Sequence, residues 1–229
     1  MAETEGVVAR GISWRQAVGI PLNVLAFLFL MILGWGSWSG FFAHPTRTGL
    51  VLVHLAMVPI MTFCTAGRSR GIRPAPDWKP FFPLLVAHSL FTSFVMPYMD
   101  ARDIAVLPGG DALRWTGLAL LAAGALFRVW PMLALRGRFA SVPAIQPGHR
   151  LHTNGIYART RHPSYLGILL LDLGFVGIFR SLVGLLLLPL VFWMFVRRMD
   201  VEERLLIEEF GDPYRDYMRR SARLLPGVY

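Results

Sequence analysis

The sequence predicts an all-α, multi-pass membrane protein of five to six apolar segments, closing with a C-terminal helical hairpin and a cytoplasmic catalytic region. Three observations predict it. Apolar runs of about 20 residues, the length a helix needs to cross a bilayer, recur along the chain. Of its 229 residues, 55% are hydrophobic and only 16% charged, and mean hydropathy is +0.50. A soluble domain of this length rarely carries such an apolar surplus. The formal charge is +9, and the basic residues lie between the apolar runs instead of on a separate polar domain. That placement favours an anionic membrane face over nucleic acid as their counterpart.

The candidate spans are residues 17–43, 49–66, 81–99, 113–135, 164–179 and 182–196. The last two are short and meet at Arg180-Ser181; full spans and a re-entrant hairpin both fit them. Residues 1–229 are expected to form one membrane domain. Residues 1–135 make a four-span bundle; 136–229 hold a loop, the hairpin and a polar tail. No run alternates in the manner of a barrel strand, so the backbone must satisfy itself in helices. Pro21, Pro59, Pro97, Pro131 and Pro189 are expected to kink or end them. The polar segment 137–162 is a loop too long to be structureless without a function.

Charge sets the expected orientation. With an inner N-terminus, six segments place Arg68, Arg70, Arg73, Lys79, Arg136, Arg138, Arg159, Arg161 and the arginine-rich tail inside. Only Arg47, Arg102, Arg114 and Arg180 stay outside, beside Asp100, Asp103 and Asp111. This positive-inside bias puts both termini in the cytoplasm. Lys79 is the single lysine; the arginine skew points to a GC-rich bacterial genome, hence an inner membrane. Residues 1–15 are mixed polar and acidic, unlike the basic start of a removable signal peptide. Cys64 is the one cysteine, so neither an intrachain disulfide nor a cysteine-based zinc site is expected.

Two ionisable clusters then fall on the inner side. Arg159-Thr160-Arg161-His162-Pro163-Ser164-Tyr165 enters the fifth segment, and Arg197-Arg198-Met199-Asp200-Val201-Glu202-Glu203 leaves the sixth. Charges at the ends of membrane segments usually face a cavity. His162-Pro163 suits a helix start, because proline lacks only an N–H that would be unpaired there anyway. The remaining N–H groups of that turn favour an anion. Arg198 and Glu202 are four apart and share a helix face; a plain surface ion pair reads the same way. His149 and His152 lack the further ligands a zinc site needs, so no metal is expected. Gly36-Ser37-Trp38-Ser39-Gly40 has the wrong register for a nucleophile elbow. Arg128 lies deep in the fourth segment, able to line a site, to snorkel, or to pair with Asp172.

Gln146, His149-Arg150-Leu151, Gly155-Ile156-Tyr157, Arg161-His162-Pro163-Ser164-Tyr165-Leu166-Gly167, Arg198, Glu202-Glu203, Phe210-Gly211, Tyr214, Tyr217 and Leu225-Pro226 form a combined pattern over residues 138–226. It resembles the integral-membrane superfamily of isoprenylcysteine carboxyl methyltransferases and phospholipid N-methyltransferases. The resemblance implies an enzyme that moves a methyl group from S-adenosyl-L-methionine to a lipophilic or small acceptor. It assigns Gln146, His149, Arg150, Leu151, His152, Tyr157, His162, Pro163, Ser164, Tyr165 and Glu202 to cofactor binding, and Arg198 to the acceptor carboxylate. His152 departs from the pattern, which has a small apolar residue there. The link from Gln146 to His149 is also shorter. A phospholipid amine or a thiol is an alternative acceptor, and a small transporter an alternative class.

Overall fold

The computed structural model describes residues 14–64, 73–74, 81–135, 144–145, 148 and 150–229, with backbone alone at 14–16, 73–74, 81–82 and 144. Among the described residues eight α-helices follow in order: α1 (Trp14–Trp35), α2 (Trp38–Phe42), α3 (Pro45–Cys64), α4 (Phe81–Asp100), α5 (Gly110–Ala134), α6 (Pro163–Ile178), α7 (Leu182–Phe210) and α8 (Asp212–Arg220). Two-residue strands β1 (Arg73–Pro74) and β2 (Ala144–Ile145) pair antiparallel. α1, α3, α5 and α7 carry windows long and apolar enough to cross a membrane, and α6 is a shorter apolar helix. The protein is a multi-pass helical membrane protein.

Most expected spans recur as helices, with two differences. The segment 17–43 divides, because Gly36 turns the chain at φ +85° and Ser37 caps a new helix by accepting from the Gly40 N–H at 3.1 Å. Sequence hydropathy cannot register that break, since both sides are apolar. The sixth segment does not stop at 196. It continues as one 29-residue helix through the charged run, and so carries Arg198 and Glu202 out of the apolar layer. All five expected prolines lie inside helices and end none of them.

The bundle is turned outward in the way lipid requires. Leu126 and Leu186 are each 69% exposed, while the interior holds Met31, Phe41, Leu50, Leu121, Ile178 and Phe179 at full burial. The closest interhelical seam joins α5 to α6 through glycines on both helices. A Cβ at Gly167 would lie 2.6 Å from the backbone nitrogen of Arg128. One at Gly174 would lie 2.5 Å from that of Leu121, and one at Gly124 2.6 Å from that of Leu171. Such small-residue seams let helix backbones touch where no hydrophobic drive separates protein from lipid.

The groups expected on the outer side do gather at one end. Asp100, its side chain fully buried, accepts from Arg114 through two bonds of 2.6 and 2.9 Å. It also accepts from Arg180 at 2.9 Å. Arg180 reaches Asp103 at 2.8 Å, and Arg114 donates to the Ile178 carbonyl at 2.6 Å. Leu107 N–H to the Arg180 carbonyl at 2.6 Å and Leu182 N–H to the Ala105 carbonyl at 3.0 Å tie the α4–α5 loop to the α6–α7 turn. The final hairpin is thereby clasped to the bundle.

Gly174→Leu is expected to destabilise the detergent-solubilised protein by about 1–3 kcal/mol or more, as overpacking does. Leu186→Ala, on the outward face, should leave the thermal midpoint in place. Equal midpoints for the two variants would refute the seam.

Candidate functional site

At the end of the bundle opposite the clasp, three helices converge. α6 begins with His162 as its N-cap and Pro163 in its first turn, and the cap makes no side-chain hydrogen bond to the backbone. α7 passes it carrying Arg198 and Glu202 one turn apart. α5, held against α6 by the glycine seam, supplies Arg128. Between them lies a cleft of about 340 Å³ counted to its open mouth, lined by Arg128, Arg161, His162, Pro163, Ser164, Tyr165, Arg198 and Glu202.

Tyr165 is the hub of the cleft. Its hydroxyl donates to Glu202 Oε2 at 2.5 Å and accepts from Arg198 Nε at 2.5 Å, so one phenol links the cation and the carboxylate. The Arg198 guanidinium also sits over the Tyr165 ring at 5.2 Å. The Tyr165 ring stacks on that of His162 at 5.3 Å and packs on Phe195. Arg128 donates to Ser164 Oγ. The pairing of Arg128 with Asp172 suggested by depth is therefore corrected. Asp172 faces His88 of α4 at 3.8 Å, because the seam places Arg128 beside the start of α6, two turns from Asp172.

Behind this wall, Glu203 gathers three partners, two of them guanidinium groups. Its Oε1 accepts from Arg161 Nε at 2.9 Å and lies 3.1 Å from His162 Nε2; Oε2 lies 3.0 Å from Arg223. Arg223 also donates to Asp200 at 2.5 Å. Burial works against the Arg223 charge, but the Asp200 bond and the Glu203 charge outweigh it and hold the guanidinium above its ordinary range. The C-terminal residues run alongside. The N–H groups of Arg161 and His162 donate to the carbonyls of Ala222 and Arg223 at 2.9 and 3.1 Å, and Thr160 donates to the Leu224 carbonyl at 2.7 Å. A strap from the chain's end thus fixes the start of α6.

The structure brings His162, Pro163, Ser164, Tyr165, Arg198 and Glu202 together as the spacing implied. Tyr157 sits beside them in a 3₁₀ turn, its carbonyl accepting from the Tyr217 hydroxyl at 2.6 Å. Burial, followed by the Glu202 charge, raises the Tyr157 phenol and keeps it protonated. Arg150 and His152 are exposed, Leu151 is half-buried, and none of the three lines the cleft. Gln146 and His149 lie outside the described residues. Arg128, Arg161 and Glu203 were not assigned to the site by sequence. The doublet Glu202-Glu203 was the one available signal, since adjacent helical residues face different ways and Glu203 therefore had to meet another partner.

Residues 116–208, from α5 into the charged end of α7, match the model of the isoprenylcysteine carboxyl methyltransferase (ICMT) family. It is 34% identical over 114 residues to a protein-S-isoprenylcysteine O-methyltransferase of Schizosaccharomyces pombe, covering 48% of each chain. It is 33% identical to the Mus musculus enzyme of the same name, covering 49% of this chain and 41% of that one. The matches thus span less than half the length of these two relatives. The eukaryotic intramembrane Ras methyltransferase ICMT shares the fold, with a TM-score of 0.56 at 20% identity over 93% of this chain and 75% of that one. The region matched by the ICMT family contains the seam, the cleft and the hairpin.

Glu203→Ala leaves the Arg161 and Arg223 guanidinium groups and the His162 ring without their shared carboxylate, a change that typically costs about 3–5 kcal/mol for a buried pair. Thermal unfolding should show that loss, and amide exchange at Arg161 and His162 should accelerate. Unchanged exchange there would show that Glu203 does not hold the start of α6.

Proposed function

We propose that this protein is a membrane methyltransferase that takes its methyl group from S-adenosyl-L-methionine and passes it to a carboxylate on a lipophilic acceptor. The observation that carries the reading is the single Tyr165 hydroxyl joining Arg198 to Glu202 in the cleft. The donor set fits such a cofactor. Its carboxylate suits Arg128 and the uncapped first turn of α6. Its ammonium or ribose hydroxyls suit Glu202, and its flat base and sulfonium suit the aromatic rings. Bound there, the cofactor supplies an electrophilic methyl on a sulfonium.

The chain's own residues supply alignment. Methyl transfer is an in-line displacement, so holding the reactants in register and excluding water account for most of the acceleration. The phenol of Tyr165 fixes the Arg198 guanidinium, which offers its planar fork to an acceptor carboxylate. Glu202, one turn further on, holds the other reactant. Glu203 and the C-terminal strap keep the α6 start rigid behind both. By the resemblance, Gln146, His149, Arg150, Leu151 and His152 complete the cofactor's enclosure from the loop.

The basic asymmetry supports a cleft on the cytoplasmic face of a bacterial inner membrane, where a dissolved cofactor and an acceptor arriving through lipid could both reach it. Both relatives named above act, by name, on isoprenylcysteine. For this chain the acceptor is read more broadly, as a prenylated cysteine or another lipophilic acid.

Purified protein incubated with methyl-labelled cofactor and lipophilic acids should yield base-labile methyl esters. Label appearing only on phospholipid amines or thiols would overturn the carboxylate. Glu202→Ala is expected to weaken cofactor binding at least tenfold by calorimetry. Arg198→Ala should cut turnover about a hundredfold or more while cofactor binding is largely retained. Equal effects of the two variants on binding would refute the division of roles.

A further inference from the structure

Among the described residues, His88 on α4 and Asp172 on α6 are ionisable side chains inside the apolar layer that take no part in the cleft; His54 on α3 is another, but its ring is already bonded to the Leu50 carbonyl at 2.9 Å. Asp172 is seven residues past Tyr165, two turns along the same face, or about 10 Å at 1.5 Å per residue. Its Oδ2 lies 3.8 Å from His88 Nε2, too far for a direct hydrogen bond. Among the described residues, neither the carboxylate nor the imidazole has a hydrogen-bond partner in its side chain; Thr92 bonds only to the His88 backbone carbonyl, at 2.8 Å. Both groups remain partly accessible, with side chains 29% and 12% exposed. Ionisable groups at this depth are expensive, and they normally face the protein interior or a path through it.

The surroundings say where that path leads. Leu85, one turn from His88 on α4, packs on the cluster of Tyr165, Val191, Phe195 and Met199. That cluster forms the underside of the cleft. The His88–Asp172 pair therefore adjoins the layer through which a lipophilic acceptor's tail would extend from Arg198.

We propose that His88 and Asp172 form an intramembrane polar subsite for a hydroxyl on the acceptor's tail, about two helical turns deeper than its reactive end. The proposal rests on the methyltransferase reading for the tail's direction. A carboxylate and an imidazole with bonding capacity left over accept a hydroxyl proton and return a donor. A hydroxyl is preferred to an ammonium because a further charge at this depth would also have to be desolvated. The pair makes the protein selective among acceptors that share a carboxylate and differ in the tail.

The test is equilibrium binding to protein in lipid nanodiscs, without turnover, of a mid-chain hydroxylated fatty acid and its unsubstituted parent. The wild type should hold the hydroxylated acid about tenfold more tightly, the scale of one net hydrogen bond. Asp172→Asn and His88→Leu should each bring that ratio down toward one. Cofactor binding by calorimetry, measured in parallel, reports whether each variant is folded. A wild-type ratio of one, equal loss of both acids in the variants, or no binding of either acid overturns the subsite. Failure of the cofactor to bind the wild type sinks the methyltransferase reading instead, and the acid ratio still decides the subsite on its own.

Discussion

Backbone contact between α5 and α6, made possible by glycine, is the constraint on which the rest of the molecule depends. Gly124 and Gly167 meet near the cleft; Gly117, Gly174 and Gly177 meet toward the clasp. Lipid offers the two helices no hydrophobic reason to associate, so the approach must come from shape and dispersion. With the helices this close, Arg128 lies beside the first turn of α6 and bonds Ser164, where a wider spacing would leave it deep in the bundle. The same contact places Leu121 against α6 and fills the interior with Phe175, Ile178 and Phe179.

The two ends of the bundle use charge differently. At the clasp, Asp100 is fully buried between Arg114 and Arg180, and every bond is internal. A carboxylate shared in this way contributes to specificity of pairing, here of the hairpin with the α4–α5 loop. At the cleft the ionic groups are layered. Glu203 and Arg223 are turned inward to hold the chain, while Arg198 and Glu202 keep an open side. Neighbouring carboxylates on one helix thus face different ways, Glu203 into the chain and Glu202 into the cleft. His162 belongs to both layers, because its ring stacks on Tyr165 while its Nε2 faces Glu203.

Long α7 couples these features. Its first half is bilayer-facing, with Leu185, Leu186 and Leu190 outward. Its second half carries the charged cluster beyond that layer without a break. One rigid helix thus carries the charged groups of the cleft directly out of the apolar layer. α8 and the strap then fold back over it, with Tyr214 and Tyr217 buried. Burial pushes the Tyr217 phenol up to about 12, which keeps it protonated and donating to the Tyr157 carbonyl.

By itself the sequence determined the helical membrane class and the approximate spans, and it named most of the residues that gather at the cleft. Hydropathy over about 20 residues, proline after histidine, and Arg198 four before Glu202 are local patterns, and local patterns survive folding. Tertiary structure alone decided which helices touch. Counted along the sequence, Arg128 and Asp172 fall at similar depths, yet the glycine seam sets Arg128 beside the first turn of α6, bonded to Ser164, and leaves Asp172 two turns away facing His88. The Glu203 hub was hidden for the same reason: Arg161, His162 and Arg223 are 20 to 42 residues away from it, and only the returning C-terminal strap brings them together.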